Sequence, residues 1–97
     1  MRVDSGLTNV SSAGTAVQLN NVTNRTKYMI VKALAGNSGL IYVGQSDVSA
    51  SNGYELSAGQ EHVWNFGEFG GSIPANVPYV DAASNNDKAC WSMILEG

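Results

Sequence analysis

The chain has 97 residues, a length that suits one domain and one hydrophobic core. Charged residues make up only 13% of it, about half the usual share, whereas hydrophobic residues stand near normal at 43%. Gly, Ser, Asn and Thr fill 36 of the 97 positions. That mixture is too poor in charge for a surface helix bundle and too apolar for a disordered tail. A net charge of −3, with five basic residues scattered along the chain, leaves no basic stripe for nucleic acid. One cysteine, Cys90, cannot close an internal disulfide, so packing, association or both must hold the fold. Residues 1–10 (MRVDSGLTNV) lack the apolar segment of a secretory leader, and the densest apolar run, 28–35, is short and carries Lys32. The expectation is a chain made in a cytoplasm, with no membrane partner.

In chain order, residues 1–12 have weak periodicity and are expected to form an extended N-terminal arm. Residues 15–19 (TAVQL) alternate over strand length. Residues 27–34 (KYMIVKAL) are rich in side chains that suit a pleated surface, and 40–43 (LIYV) follow after Ala-Gly-Asn-Ser-Gly. That pair reads as a β-hairpin. A polar connection containing Asn52-Gly53 then leads to a turn over 56–59. In residues 61–66 (EHVWNF), His62, Trp64 and Phe66 share one face and Val63 and Asn65 the other. Residues 67–78 read as a long Gly/Pro loop, 79–82 as a short strand, and 84–87 as a turn. The closing segment 89–96 (ACWSMILE) places Trp91, Met93 and Leu95 on one side and Cys90, Ser92 and Ile94 on the other. With both faces largely apolar, this strand is either central in a sandwich or covered by a partner. The fold expected for residues 1–97 is a single all-β domain: an antiparallel β-sandwich or small jelly-roll-like barrel of about six to eight short strands.

Chemistry-bearing residues are few. A nucleophilic pair would have to be Cys90 with His62, yet Cys90 lies in an apolar strand, where a thiol behaves as a small hydrophobe. No Gly-X-Ser-X-Gly element is present. One His and one Cys are too few for a nitrogen–sulfur metal site. Asp81, Asn85, Asn86 and Asp87 cluster in one loop and Asp47 lies in another, but ordinary turn preference explains them without a cation. The chain therefore reads as non-enzymatic, without metal or cofactor. Of the aromatic residues, Trp91 and one of Trp64 or Phe66 are expected in the core, whereas Phe69 sits on a Gly-rich loop where an exposed ring would mark an interface.

Residues 28–60 carry a distinctive order of elements: Asn37 and Gly39, then Ile41 to Gly44, Ser46 to Val48, Asn52-Gly53, and Leu56 with Gly59 and Gln60. This run, about a third of the chain, resembles small structural proteins of tailed-bacteriophage virions. The resemblance implies a β-sandwich capsid decoration or cement protein, assembled in the host bacterial cytoplasm and located on the capsid surface. Its implied partners are the major capsid protein and further copies of itself, a trimer being favoured. No catalytic residues come with it. The expected partner contacts are Met1, Arg2, Val3, Asp4 and Ser5 in the arm, Phe69 and Ile73 in the 67–78 loop, and Tyr79. The alternative reading is a receptor- or glycan-binding module of a head fibre or tail, resting on exposed aromatic rings.

Overall fold

The computed structural model describes residues 2–96, apart from the side chain of Phe69. Nine strands run in chain order: β1 (Arg2–Val10), β2 (Val17–Gln18), β3 (Arg25–Ala33), β4 (Ile41–Gly44), β5 (Tyr54–Leu56), β6 (Glu61–Asn65), β7 (Ile73–Pro74), β8 (Tyr79–Ala82) and β9 (Asp87–Leu95). A turn of 3-10 helix spans Gly67–Phe69. The larger sheet has the order β1-β9-β3-β6, with β7 also on β3; the smaller sheet has the order β2-β8-β4-β5. All pairings are antiparallel. The chain is thus an all-β sandwich of two antiparallel sheets, and β2 and β7, two residues each, raise the strand number above the six to eight expected.

Alternation along each strand decides what enters the core. From the larger sheet Met29, Val31, Met93 and Leu95 point inward, and from the smaller sheet Ile41, Val43, Leu56 and Val80 meet them. Trp91 packs partly against this cluster. Its ring lies across Gly6, where a side chain could not fit: a Cβ there would stand 2.5 Å from the indole. The indole N–H donates to Thr8 Oγ1 (3.1 Å), and the Thr8 hydroxyl donates to the Leu19 carbonyl. These contacts hold β1 down on the core.

Two expectations need correction. Over residues 2–10 the N-terminal segment is no loose arm; it is the strand β1, paired with β9 in nine unbroken register positions from Arg2–Leu95 to Val10–Asp87. Its weak hydrophobic periodicity has a local cause. The inward positions are Asp4, Gly6 and Thr8, and Trp91 of the neighbouring strand supplies the apolar cover they lack.

The second correction concerns β3 and β4, which do not form a hairpin. They lie in opposite sheets, β3 pairing β9, β6 and β7, and β4 pairing β5 and β8. The connecting residues 34–40 are held to β9 instead. Asn37 Nδ2 donates to the Lys88 carbonyl (2.7 Å), and the Lys88 N–H donates to Asn37 Oδ1 (2.9 Å), so one side chain takes the place of a strand partner. The buried Asp87 carboxylate accepts from the N–H groups of Ser38 (3.0 Å) and Gly39 (2.8 Å). The turn chemistry was real, but it serves an arch between sheets.

Candidate functional site

The register of the larger sheet defines its outer face row by row. Val3, Ile94, Tyr28 and Asn65 make one row; Ser5, Ser92, Ile30 and Val63 the next; Leu7, Cys90, Lys32 and Glu61 the third. Asn9 and Lys88 begin a fourth. The face is apolar along both lateral strands, with Val3 73% and Leu7 57% exposed on β1 and Val63 40% exposed on β6. Ile30, Cys90 and Ile94 are half-buried beside them. Its polar residues are Ser5 and Ser92 in the middle row, Asn65 at one corner, and Lys32, Glu61, Lys88 and Asn9 toward the far end. Exposed apolar residues gathered on one uncovered sheet face mark a protein interface. A shallow groove of about 530 Å³ runs along it between Ser5, Leu7, Ile30, Lys32, Cys90 and Ser92.

The sequence signal for this surface lay in β9 and β3, whose residues are apolar at both parities. β9 is central in its sheet, so its inward half is explained by the core. Its outward half, Cys90 and Ile94, lies on the uncovered face. Leu7, Tyr28, Ile30, Val63, Cys90 and Ile94 were absent from the expected contact set. Only the pairing register brings these six, from four strands, onto one surface.

The expected contacts divide among three places. Met1 lies outside the described residues. Val3 and Ser5 lie on the outer face, while Arg2 and Asp4 have the opposite parity in β1. Ile73 sits on β7 beside Thr26 and lines a small cleft of about 160 Å³ with Trp64, Phe66 and Val77. Phe69 closes the 3-10 turn. Tyr79, half-buried on β8, belongs to the smaller sheet between Gln18 and Gly44. The structure therefore does not gather these residues into one site.

His62 and Cys90 project from opposite faces of the larger sheet, since His62 is in register with inward Val31 and Cys90 with outward Lys32. They do not form a pair. The His62 ring stacks between Tyr54 (centroids 4.5 Å apart) and Trp64 (5.0 Å, edge to face), joining the flanks of the two sheets. Partial burial there lowers its pKa from the ordinary imidazole value.

The aspartates are similarly occupied. Asp81, 2% exposed, accepts from the N–H groups of Gly14 (3.0 Å) and Ala82 (2.7 Å), both at Oδ1. Asn85 Oδ1 accepts from the Ala13 N–H (2.8 Å). Asp81 and Asp87 thus pin loops to strands, and Asn85 ties one loop to another. Among the described residues no three His, Cys, Asp or Glu side chains come together in a way that could hold a metal ion, and no helix is long and apolar enough to cross a membrane.

No family model matches the chain, and no curated protein matches it. Among solved structures, it is similar to the IMPa metallopeptidase from Pseudomonas aeruginosa and to the structure of IMPa in complex with an O-glycopeptide. Both matches have a TM-score of 0.53 at 8% identity, covering 97% of this chain and 12% of the peptidase chain. The likeness is one of fold, and this chain spans only 12% of the length of that enzyme.

Proposed function

We propose that this chain is a non-enzymatic structural protein of a tailed-bacteriophage virion, decorating the capsid by laying the outer face of its larger sheet on neighbouring major capsid subunits. The observation that carries the reading is the uncovered apolar surface of that face, with Val3 and Leu7 exposed on β1 and Val63 on β6. A cement protein adds compact copies to a shell already closed by other subunits, so it needs a rigid body and a surface poised for burial. Covering Val3, Leu7 and Val63 would contribute on the order of 1 kcal/mol each, and copies arrayed on a lattice multiply such contacts. The resemblance carried by residues 28–60 supports the same reading. Those residues build β3, β4 and β5 and the arch between the sheets.

Sedimentation with virus particles tests it. The full chain should travel with capsids through a gradient and leave them under mild denaturant. Val63→Asp and Ile94→Asp should each keep the native far-UV spectrum yet remain at the top. Absence of the wild-type chain from particles, or undiminished binding by both variants, overturns the proposal.

One observation favours the second reading, a glycan-binding module of a head fibre or tail. Tyr54 is 58% exposed and its ring is held in place against His62, as a sugar-stacking platform would be. A glycan titration that follows tryptophan fluorescence, with Tyr54→Ala as control, separates the two readings. Saturable quenching lost in that variant supports the glycan module, and a flat titration removes it.

A further inference from the structure

We propose that β1 pairs edge to edge with β1 of a second copy of this chain, making a two-fold dimer whose larger sheets join into one. This inference is independent of capsid binding. It rests on the four sheet edges, which are unequal. β2 and β5 are two and three residues long, and the β6/β7 edge is broken by the 3-10 turn and carries Pro74. Short strands, interruptions and proline are the usual defences of an edge. β1 runs nine residues without a bulge, a proline or a lysine.

The direction of its backbone groups follows from its neighbour. Lys88 turns its N–H and C=O toward Asn37 and Leu34, on the β3 side of β9. Even-numbered residues of β9 therefore bond toward β3 and odd-numbered ones toward β1. The register pairs odd positions of β9 with even positions of β1. It follows that Val3, Ser5, Leu7 and Asn9 present their N–H and C=O groups to the open edge. The Ser5 N–H is met there only by the carboxylate of the preceding residue, Asp4 (3.0 Å), on an exposed site.

Antiparallel registers with the axis at Asp4, Ser5 or Gly6 all bring the outward-bonding positions of two copies together, and the side chains favour Ser5. With the two-fold axis at Ser5, Val3 of each chain stands beside Leu7 of the other, and the paired positions are the outward-bonding ones. Val3 and Leu7 are the large apolar residues of β1 left 73% and 57% exposed, and they lie symmetrically about Ser5. Asp4 then faces Gly6 and Arg2 faces Thr8, so no like charges meet. An axis at Asp4 would set two carboxylates side by side, which disfavours that alternative. Because the axis stands perpendicular to the sheet, both apolar outer faces open to the same side. The occupant is thus two-fold, in place of the trimer that the resemblance implies.

Sedimentation equilibrium of the full chain tests the pairing. The wild type should move from 10.2 kDa to twice that mass between about 1 µM and about 1 mM, the range of modest self-association. Ser5→Pro removes an outward N–H without touching a bond to β9, and proline is tolerated at such an edge position. It should keep the native far-UV spectrum and stay at 10.2 kDa throughout. Leu7→Asp, which leaves every backbone group in place, should raise the dimer dissociation constant at least about tenfold and carries the test if the proline variant misfolds. Amide exchange at Val3, Ser5 and Leu7 should slow with concentration in the wild type alone. A wild type that stays monomeric to the top of the range overturns the proposal. So does an assembly of any size that survives both substitutions.

Discussion

The outer faces of the two sheets are built from similar strands and finished in opposite ways. On the smaller sheet, Tyr42 and Asp81 are register neighbours pointing away from the core, yet both are buried. Residues 12–15 are tied across that face through Asp81 and Asn85. Residues 45–53 fold over it with Val48 tucked against Gly44 and Gly53, and Asn52 closes the turn by accepting the Ser49 N–H (2.8 Å) and donating to the Asp47 carbonyl (3.2 Å). On the larger sheet, among the described residues, no loop does this, and Val3, Leu7 and Val63 remain exposed. Small polar residues of these two segments build a lid for one face. The face without a lid is the one with apolar residues left over.

Substitutions should separate the two faces, beginning with the close approach beneath the lid. A Cβ at Gly53 would lie 2.5 Å from Tyr42 Cβ and 2.9 Å from the Ser49 carbonyl oxygen, so Gly53→Val must lift the 45–53 loop. A loss of about 3 kcal/mol in urea unfolding is expected; a loss below about 0.5 kcal/mol would mean that the lid is not packed there. Asp81→Ala orphans the Gly14 and Ala82 amides and should cost about 2 kcal/mol, with faster hydrogen exchange at those two residues. Val63→Thr on the open face should leave stability within about 0.5 kcal/mol of wild type, because water already reaches that position. A cost as large as that of Asp81→Ala would erase the distinction between the faces.

The smallest effect concerns His62, on the inner side of the open sheet. Its folded pKa is lowered by burial, while the unfolded chain titrates near about 6.5. Above that pH both states are neutral and nothing is lost. As pH falls through it, the unfolded chain takes up the proton first, so stability declines and then levels off below the folded pKa. Thermal melts of wild type and His62→Phe from neutral to mildly acidic pH should show this shallow decline only in the wild type. An identical decline in both assigns it elsewhere.

Much of the strand pattern was legible because alternation is local. The split of residues 61–66 into His62, Trp64 and Phe66 on one face and Val63 and Asn65 on the other was evident, and so was the two-sided apolar character of β9; which face of β6 points inward is set by its pairing with β3. The β3–β4 connection misled for a definite reason. Gly36, Asn37 and Gly39 report that the chain turns, and a hairpin and an arch use the same turn residues. What selects the arch is a set of bonds from Asn37, Ser38 and Gly39 to Lys88 and Asp87, about fifty positions away. β1 misled for the complementary reason, since Asp4, Gly6 and Thr8 face a neighbour that brings its own tryptophan.

From its residues alone the chain declares an all-β fold, strands of alternating character and turns made of small polar side chains. Each of these is decided within a few positions, by backbone preference and the two-residue period of a strand. Which strands become neighbours, which aspartates are consumed as loop pins, and which face is left open are decided only by tertiary pairing. A sheet's surface is assembled across strands, and its composition exists only once the register is set.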